Sequence, residues 1–459
     1  MKIKKIFAEQ NSEFEELKKI ANLLDIPIGK IIEHVDCKMC SSKLVQNEIL
    51  INDIITKIRF YIQERNFFNI ANEYRSPIYK VSSSSINSTN YTYDYERTIK
   101  YRNLEEKFHS KSLYLDGFTL FYRSGMSTIT SIINLILKFY KSITCVSHIG
   151  YYESVLLLND CKQYISNLDF NVCSSGVGAN AEFYFIEFVK ANFKFDTIDF
   201  SDILNQLPQK SNKLVFVVFD ISFLGDSFNF DEVLRLLKNY RRLIIIFFRS
   251  GLKLDQQGLE LINLGILSLY LTSDLYYIKN SLLDFMQENR SRTGLSLSLM
   301  DSFILNDIIT MRDTTYSKKI LTNTSYFISQ LKISELSFVS EVICANVEYA
   351  NIDYHSTPYF FIKLKDADEK DYINLCKLIK YEFLKVGLEI NFRTSFGFRN
   401  ISFEYVKNRN IKNSEVLKIA PGVMRGYAYY KMIQILNSVF SNTYEAFSHR
   451  CEKMLAKVF

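Results

Sequence analysis

The chain has 459 residues, of which 47% are hydrophobic and 23% charged, so it falls in the globular class and is too long for one simple core. Its net charge of +6 arises from 56 basic and 50 acidic residues without a basic block, so we expect no nucleic-acid partner. The N-terminus lacks the apolar core of a secretory signal, and no later window reaches the roughly 18 apolar residues of a membrane span. We therefore expect a cytoplasmic protein without membrane contact, and reduced rather than disulfide-bonded cysteines.

Helical periodicity dominates the start of the chain, for example at Phe14, Leu17 and Ile20. This pattern predicts a helical N-terminal extension, which we place at residues 1–80. The polar run 82–90 has too few apolar side chains to bury, and it predicts a loop or linker.

Short apolar runs alternate with helical segments from about residue 119 onward. Such runs, without polar alternation, are typical of parallel strands that are covered on both faces. They are 142–146, 214–219, 243–248 and 267–272. The sequence therefore predicts an α/β fold with a large domain at 81–310. A smaller α+β domain is predicted at 311–459, with a strand at 359–364, a helix at 369–386 and further strands near Phe403 and Leu417.

A turn of small residues precedes the apolar helix predicted at 129–139. It contains Ser124, Gly125 and Met126. A turn that opens a helix directs free backbone N–H groups and the positive end of the helix dipole to one point, which suits a phosphate. An ordinary Ser/Thr helix cap would have the same sequence.

Two further polar features follow consecutive strands in chain order. Asp220 ends the run 214–219, where a carboxylate can pair with a protonated ring nitrogen, although Asp is also common in turns. Ser250 and Lys253 follow the next run, and a lysine held in a semi-buried site becomes a nucleophile toward an aldehyde. Most lysines in such positions are simply solvated. Together with the turn at Ser124, the chain order favours a single cofactor site.

An upstream segment, 93–106, carries Tyr95 and Arg97 two residues apart. An arginine and a tyrosine hydroxyl are suited to bind a phosphate, although a solvated loop would also explain them.

At these residues the sequence resembles the cysteine/methionine-metabolism family of pyridoxal-phosphate (PLP) enzymes, which includes cystathionine synthases and lyases and methionine γ-lyase. The resemblance is carried by short segments. They are Tyr95-Glu96-Arg97 with Leu104-Glu105, Ser124-Gly125-Met126, Ile149-Gly150-Tyr151-Tyr152, Asp220-Ile221-Ser222, Ser250 and Lys253, and Ser395-Phe396-Gly397.

The resemblance implies fold type I of the PLP-dependent enzymes, with a mostly parallel seven-stranded sheet in the large domain. It implies a Schiff base between PLP and Lys253, Asp220 as the partner of the ring nitrogen, and Tyr152 stacked on the ring, or Tyr151 if the match slips by one residue. Phosphate and ring contacts would come from Ser124, Gly125, Met126, Ser222 and Ser250. Tyr95 and Arg97 would reach the cofactor of a neighbouring subunit in a homodimer or homotetramer.

The substrate-carboxylate site departs from the family pattern. Ser395 resembles the family's substrate loop, but Lys418 stands where the family has an arginine. Lysine is a point charge rather than a bidentate fork, so Arg393, Arg399 or Arg425 are alternative ligands for an amino-acid carboxylate. The turn after Arg97 also differs from the family, since 100–102 replaces an Asn-Pro-Thr sequence.

The resemblance implies β- or γ-elimination, or γ-replacement, on a sulfur-containing or O-activated amino acid, as in transsulfuration. An aminotransferase and a catalytically silent relative that acts as an assembly or regulatory partner are the alternatives. Cys37 and Cys40, with His34, could form half of a zinc site, but no second ligand pair follows, so we predict no metal.

Overall fold

The computed structural model describes residues 2–27, 29, 39–70, 83–86, 89–92, 99, 101–141, 143–164, 168–172, 181–333, 337–345, 356–407 and 414–458. Within these ranges the helices are α1 Lys2–Leu23, α2 Leu44–Ile70, α3 Arg102–Phe108, α4 Gly125–Phe139, α5 Tyr152–Tyr164, α6 Phe200–Gln206, α7 Phe230–Leu237, α8 Lys279–Arg292, α9 Leu299–Thr310, α10 Tyr316–Ser329, α11 Glu369–Leu384, α12 Tyr427–Phe440 and α13 Tyr444–Val458. The strands are β1 Ser83–Ile86, β2 Thr89–Thr92, β3 Asp116–Tyr122, β4 Ile143–His148, β5 Leu168–Val172, β6 Phe183–Glu187, β7 Lys210–Asp220, β8 Arg241–Ser250, β9 Gly265–Leu271, β10 Val339–Ile343, β11 Phe360–Leu364, β12 Asn391–Phe392, β13 Ser402–Val406 and β14 Val416–Ala420.

The central sheet has seven strands in the order β3-β9-β8-β7-β6-β4-β5. All neighbouring pairs from β8 to β5 are parallel, whereas β9 pairs antiparallel with both β3 and β8. The predicted α/β fold with a mostly parallel seven-stranded sheet is therefore confirmed. The run 267–272 is a strand as predicted, but it is the one described strand of this sheet that runs against the others.

Burial on both faces explains the uninterrupted apolar runs of the central strands. Along β7, Val217 and Phe219 pack into one core cluster, while Phe216 and Val218 pack into a second cluster on the opposite face. Because side chains alternate between the two faces of a strand, both sets must be apolar when helices cover both faces.

A second sheet of five strands, in the order β10-β11-β14-β13-β12, forms the C-terminal part of the chain. Its buried face shares a core cluster with α11 and α12. The strands predicted at 359–364 and near Phe403 and Leu417 belong to this sheet. The limits of the three domains stay a prediction.

The N-terminal helices α1 and α2 are helical as predicted and share a core cluster with α9. They also contact the C-terminal part of the chain. The buried Glu48 carboxylate accepts hydrogen bonds from the Tyr427 and Ala428 amides at the start of α12, at 2.9 and 3.3 Å. An amide at a helix start lacks an intrahelical acceptor, so Glu48 caps α12 from a distant part of the sequence. None of the described helices is long and apolar enough to cross a bilayer.

Parts of the polar run 82–90, which was predicted to be a loop or linker, are strands. Strand β1 pairs antiparallel with β2, with Ser83 opposite Thr92 and Ile86 opposite Thr89. Pairing of backbone groups does not require apolar side chains, which is why composition did not reveal it.

A buried ion pair joins α3, β3 and α8. The Arg290 guanidinium donates to the Glu105 carboxylate at 2.5 Å and to the Phe121 carbonyl at 2.7 Å. Glu105 also accepts a hydrogen bond from the Phe121 amide at 3.1 Å. The side chains of Glu105 and Arg290 are 0% and 4% exposed, so removal of one partner leaves an uncompensated buried charge.

We expect Arg290→Met to lower the free energy of unfolding by about 3–5 kcal/mol in urea titrations, because Glu105 would remain buried without its partner. Arg292→Met on the same helix is the control. Its pair with Glu288 is 75% and 59% exposed, and we expect a loss below about 1 kcal/mol. Equal losses in the two variants would contradict the stabilising role of the buried pair.

Candidate active site

A cavity of 240 Å³ lies at the carboxyl ends of β6, β7 and β8. These three strands end at Glu187, Asp220 and Ser250. In open α/β sheets this edge is the usual position of a ligand site. The described lining residues are Ser124, Gly125, Met126, Ile129, Tyr151, Glu153, Glu187, Phe188, Val189, Ala191, Asp220, Ser222, Phe223, Leu224, Phe248, Ser250, Leu252, Lys253, Asn263 and Phe396.

One corner of the cavity is formed by the start of α4. Ser124 caps the helix, because its hydroxyl accepts a hydrogen bond from the Ser127 amide at 3.1 Å. The Gly125 and Met126 amides have no described acceptor, as expected for the first two positions of a helix. A Cβ at Gly125 would lie 3.4 Å from the Ser250 Cβ, so this helix start lies beside the end of β8. Free amides, hydroxyls and a helix dipole therefore converge on one corner.

Ser222 connects this corner to the neighbouring strand. Its hydroxyl accepts a hydrogen bond from the Ser250 amide at 2.9 Å, and its own amide donates to Asp220 at 2.8 Å. The predicted contacts Ser222 and Ser250 thus lie together with Ser124, Gly125 and Met126 around one cavity.

Asp220 presents a half-buried carboxylate to the cavity. Burial raises its pKa above the ordinary range of an aspartate. Among the described residues, no cation forms an ion pair with it. A partly desolvated carboxylate in this position is suited to a cationic ligand, because such a ligand would offset the desolvation of the charge.

Glu187 is a second carboxylate at the cavity, one strand away, which sequence reasoning missed. Unlike Asp220, it is buried. It lies opposite Asp220 in the β6–β7 register. Its oxygens accept hydrogen bonds from the amides of Gly150, Tyr151 and Ala191 at 2.9, 3.1 and 2.7 Å. Its pKa is raised, first by burial and then by the charge of Asp220. The available signal was an acidic residue at the end of an apolar run, the same pattern that identified Asp220.

The turn after β8, which carries Lys253, is fixed by a buried charge network. The Arg249 guanidinium donates to Asp255 at 2.6 Å and to Asp226 at 2.9 Å, and Arg312 donates to Asp226 at 2.7 Å. Since Arg249 and Asp255 lie on opposite sides of Lys253 in the chain, this pair closes the turn around the lysine.

The Lys253 amine points toward the C-terminal segment 393–400. Its Nζ donates to the Ser395 hydroxyl at 2.5 Å and lies 5.5 Å from the centre of the Phe396 ring. The pKa of Lys253 is lowered, first by burial and then by the charge of Lys418. A lowered pKa increases the neutral, nucleophilic fraction of the amine near neutral pH.

The structure places Tyr151, and not Tyr152, at the cavity wall. Tyr152 is 63% exposed and does not line the cavity. Both hydroxyls donate to the Glu153 carboxylate, at 2.6 Å from Tyr151 and 3.0 Å from Tyr152. The position of Tyr152 therefore does not suit the stacking role, and the neighbouring residue that the one-residue slip identified is the better candidate.

The cations predicted for a substrate carboxylate are already engaged within the protein. Lys418 contacts the Thr394 carbonyl and pairs with Glu404 at 2.9 Å. Arg393 pairs with Glu260 at 2.7 Å. Arg399 donates to the Glu13 carboxylate, and Arg425 donates to the Asn323 side chain at 2.6 Å. None of these cations is among the described residues that line the cavity.

Four predicted residues lie outside the described ranges: Tyr95, Arg97, His34 and Cys37. Within those ranges, no group of three His, Cys, Asp or Glu side chains could hold a metal ion. None of the six described cysteines forms a disulfide.

Solved structures with a similar architecture include a cystathionine γ-synthase and a methionine γ-lyase. Cystathionine γ-synthase from Xanthomonas oryzae pv. oryzae, solved with cystathionine, aligns with a TM-score of 0.56 and 13% identity over 86% of this chain and 99% of its own. The same enzyme was solved with aminoacrylate and cysteine. Methionine γ-lyase CalE6 from Micromonospora echinospora aligns with a TM-score of 0.53 and 11% identity over 80% of this chain and 91% of its own.

The chain has the type I fold of PLP-dependent enzymes. The resemblance predicted from short motifs is thereby confirmed at the level of the fold. No family model matches the sequence, and no curated protein matches it.

The conformation of the segment 393–400, which contacts Lys253, requires a glycine at position 397. Gly397 has a φ of +91°, which is unfavourable for other residues. A Cβ at this position would lie 1.9 Å from the Lys253 carbonyl oxygen. We expect Gly397→Ala to lower the free energy of unfolding by more than about 2 kcal/mol, since backbone strain and a clash combine.

Gly387→Ala is the matched control, because Gly387 also has a positive φ, +74°, but no atom lies within 4 Å of the point that a Cβ would occupy there. We expect a loss of about 1 kcal/mol for this variant. Chemical denaturation of both variants measures the difference, and a Gly397→Ala loss no larger than the control would refute the close approach.

Proposed function

We propose that this protein is a PLP-dependent enzyme that acts on an amino-acid substrate, with Lys253 as the residue that holds the cofactor. The observation that carries the proposal is the composition of one cavity. It brings together a lysine amine with a lowered pKa, a half-buried carboxylate that pairs with no cation among the described residues, and a helix start with free amides.

These three features fit three parts of the cofactor. The Gly125 and Met126 amides, with the Ser124 and Ser250 hydroxyls, would hold the phosphate. Asp220 would pair with the ring nitrogen and keep it protonated, and the cation would offset the partial desolvation of the carboxylate. Lys253 Nζ would form the covalent bond to the aldehyde carbon of the cofactor.

The aromatic wall supports the same arrangement. Tyr151 offers a ring to a planar cofactor, and its backbone amide is fixed by Glu187. We assign the stacking role to Tyr151. Ser222 would contact the ring edge, because it lies next to Asp220 and contacts the Ser250 amide.

When bound, the cofactor supplies an electron sink for cleavage of a bond at the substrate α-carbon. The protein's own contribution is proton transfer and orientation. Lys253 Nζ, once released by the amine of the substrate, would take the proton from the α-carbon. Ser395, which accepts a hydrogen bond from this amine, would hold it in position for that step.

The reaction type is proposed from the fold relationship and the sequence motifs. Both support β- or γ-elimination, or γ-replacement, on a sulfur-containing or O-activated amino acid. We further propose a homo-oligomer in which Tyr95 and Arg97 reach the phosphate of a neighbouring subunit, as the resemblance implies.

Purified protein with added PLP should show a visible absorbance band, and borohydride should fix the cofactor on the peptide that contains Lys253. The band and adduct should be lost in Lys253→Ala, because the attaching amine is gone, and kept in Lys213→Ala, whose lysine is 67% exposed. Absence of both in the unmodified protein would refute the cofactor assignment and favour a catalytically silent relative.

The assignment of the aromatic wall can be tested by cofactor affinity. We expect Tyr151→Ala to weaken PLP binding by about tenfold, as a lost ring contact predicts. Tyr152→Ala should leave the affinity unchanged, since that side chain does not line the cavity. Titration of the absorbance band measures both, and the opposite order would assign the stacking role to Tyr152.

A further inference from the structure

The cavity wall carries more acidic than basic side chains. Among the described residues that line it, Glu153, Glu187 and Asp220 are acidic, and Lys253 is the single cation. Lys253 is assigned to cofactor attachment, Asp220 to the ring nitrogen, and the serines and Tyr151 to the phosphate and the ring. The other described wall residues that are polar are then two carboxylates, Glu153 and Glu187, and the neutral amide of Asn263. Such a wall offers little to a substrate carboxylate and repels its charge.

Lys418 does not change this balance. Its Nζ is held by Glu404 at 2.9 Å and by the Thr394 carbonyl. The side chains of Lys418 and Glu404 are 10% and 8% exposed. Burial lowers the pKa of Lys418 and raises that of Glu404, while their attraction opposes both shifts. Whether the pair is ionic or has exchanged its proton, its net charge is zero.

Glu404 and the Thr394 carbonyl already use two of the three N–H groups of Lys418. A substrate carboxylate on the third would share a charge that Glu404 already offsets. Displacement of Lys418 toward the substrate would leave Glu404 buried without its cation, which is strongly unfavourable. The same holds for Arg399, because its partner Glu13 is also buried. Arg393 is more exposed, but it is held by Glu260 and does not line the cavity.

From this we infer that the site selects amino-acid derivatives whose carboxyl group is uncharged, such as an amide, ester or thioester. The inference rests on the proposed PLP-dependent function and specifies its substrate class. An uncharged carbonyl needs a hydrogen-bond donor rather than a cation, and the Asn263 amide at the cavity wall can provide one. An acidic wall also favours a substrate that carries no negative charge of its own.

The test compares L-norleucine with L-norleucinamide, neither of which has a leaving group. Each is titrated into the PLP-loaded protein, and the shift of the visible band gives an equilibrium constant. The same pair titrated against free PLP corrects for the different basicity of the two amines. After correction, we expect the amide to bind about tenfold more tightly or better, since one unfavourable charge contact is removed.

Glu404→Gln gives an independent measurement. It removes the charge that neutralises Lys418, so the corrected preference for the amide should fall by about tenfold. Glu369→Gln is the control, because that carboxylate pairs with Lys407 on the surface and should leave the preference unchanged. The ligand pair on the unmodified protein decides the question even if Glu404→Gln does not fold.

The outcomes separate the two proposals. A visible band with tighter binding of norleucine than of its amide would overturn the inference and leave the PLP assignment intact. The absence of a band with any ligand would overturn the proposed function itself. A preference for the amide that Glu404→Gln reduces and Glu369→Gln does not would support both.

Discussion

Parallel pairing of β6, β7 and β8 is the constraint on which the candidate site depends. Strands that run in the same direction end at the same edge, so Glu187, Asp220 and Ser250 meet there although they are far apart in sequence. Both faces of these strands are occupied by core residues, so polar groups are confined to the ends. The apolar sheet thereby creates a cavity that is lined by both a carboxylate and a lysine, and partial burial shifts the pKa values of both toward their neutral forms.

The position of Lys253 requires support from two parts of the chain. The Arg249–Asp255 pair holds the turn together within the segment that follows β8. The segment 393–400 packs against the same turn. The Gly397 backbone lies against the Lys253 backbone, and the Ser395 hydroxyl accepts a hydrogen bond from the Lys253 amine. Arg399 then ties this segment to Glu13 of the N-terminal helix. The lysine is therefore held by contacts among the large sheet, the C-terminal part and the helical extension, and none of these parts positions it alone.

Much of this arrangement could be predicted from sequence, because strand ends and helix starts have local signatures. Asp220, Ser250, Lys253 and the turn at Ser124 follow from apolar runs and the residues that end them. Other features depend on direction or pairing, which sequence does not fix. Tyr151 and Tyr152 differ only in which way each side chain points at the start of α5. The Glu404–Lys418 pair depends on the β13–β14 register. The β1–β2 pair depends on backbone pairing rather than on apolar side chains.

The contacts of the N-terminal extension have a consequence for the timing of folding. The Glu13–Arg399 pair joins residues 386 positions apart, and Glu48 caps a helix 379 positions further along the chain. At a synthesis rate of about 5–20 residues per second, α1 and α2 are synthesised roughly 20–80 s before these partners. During that time the Glu13 and Glu48 carboxylates lack the partners that they have in the folded chain. Folding of the extension is thus coupled to completion of the C-terminal part.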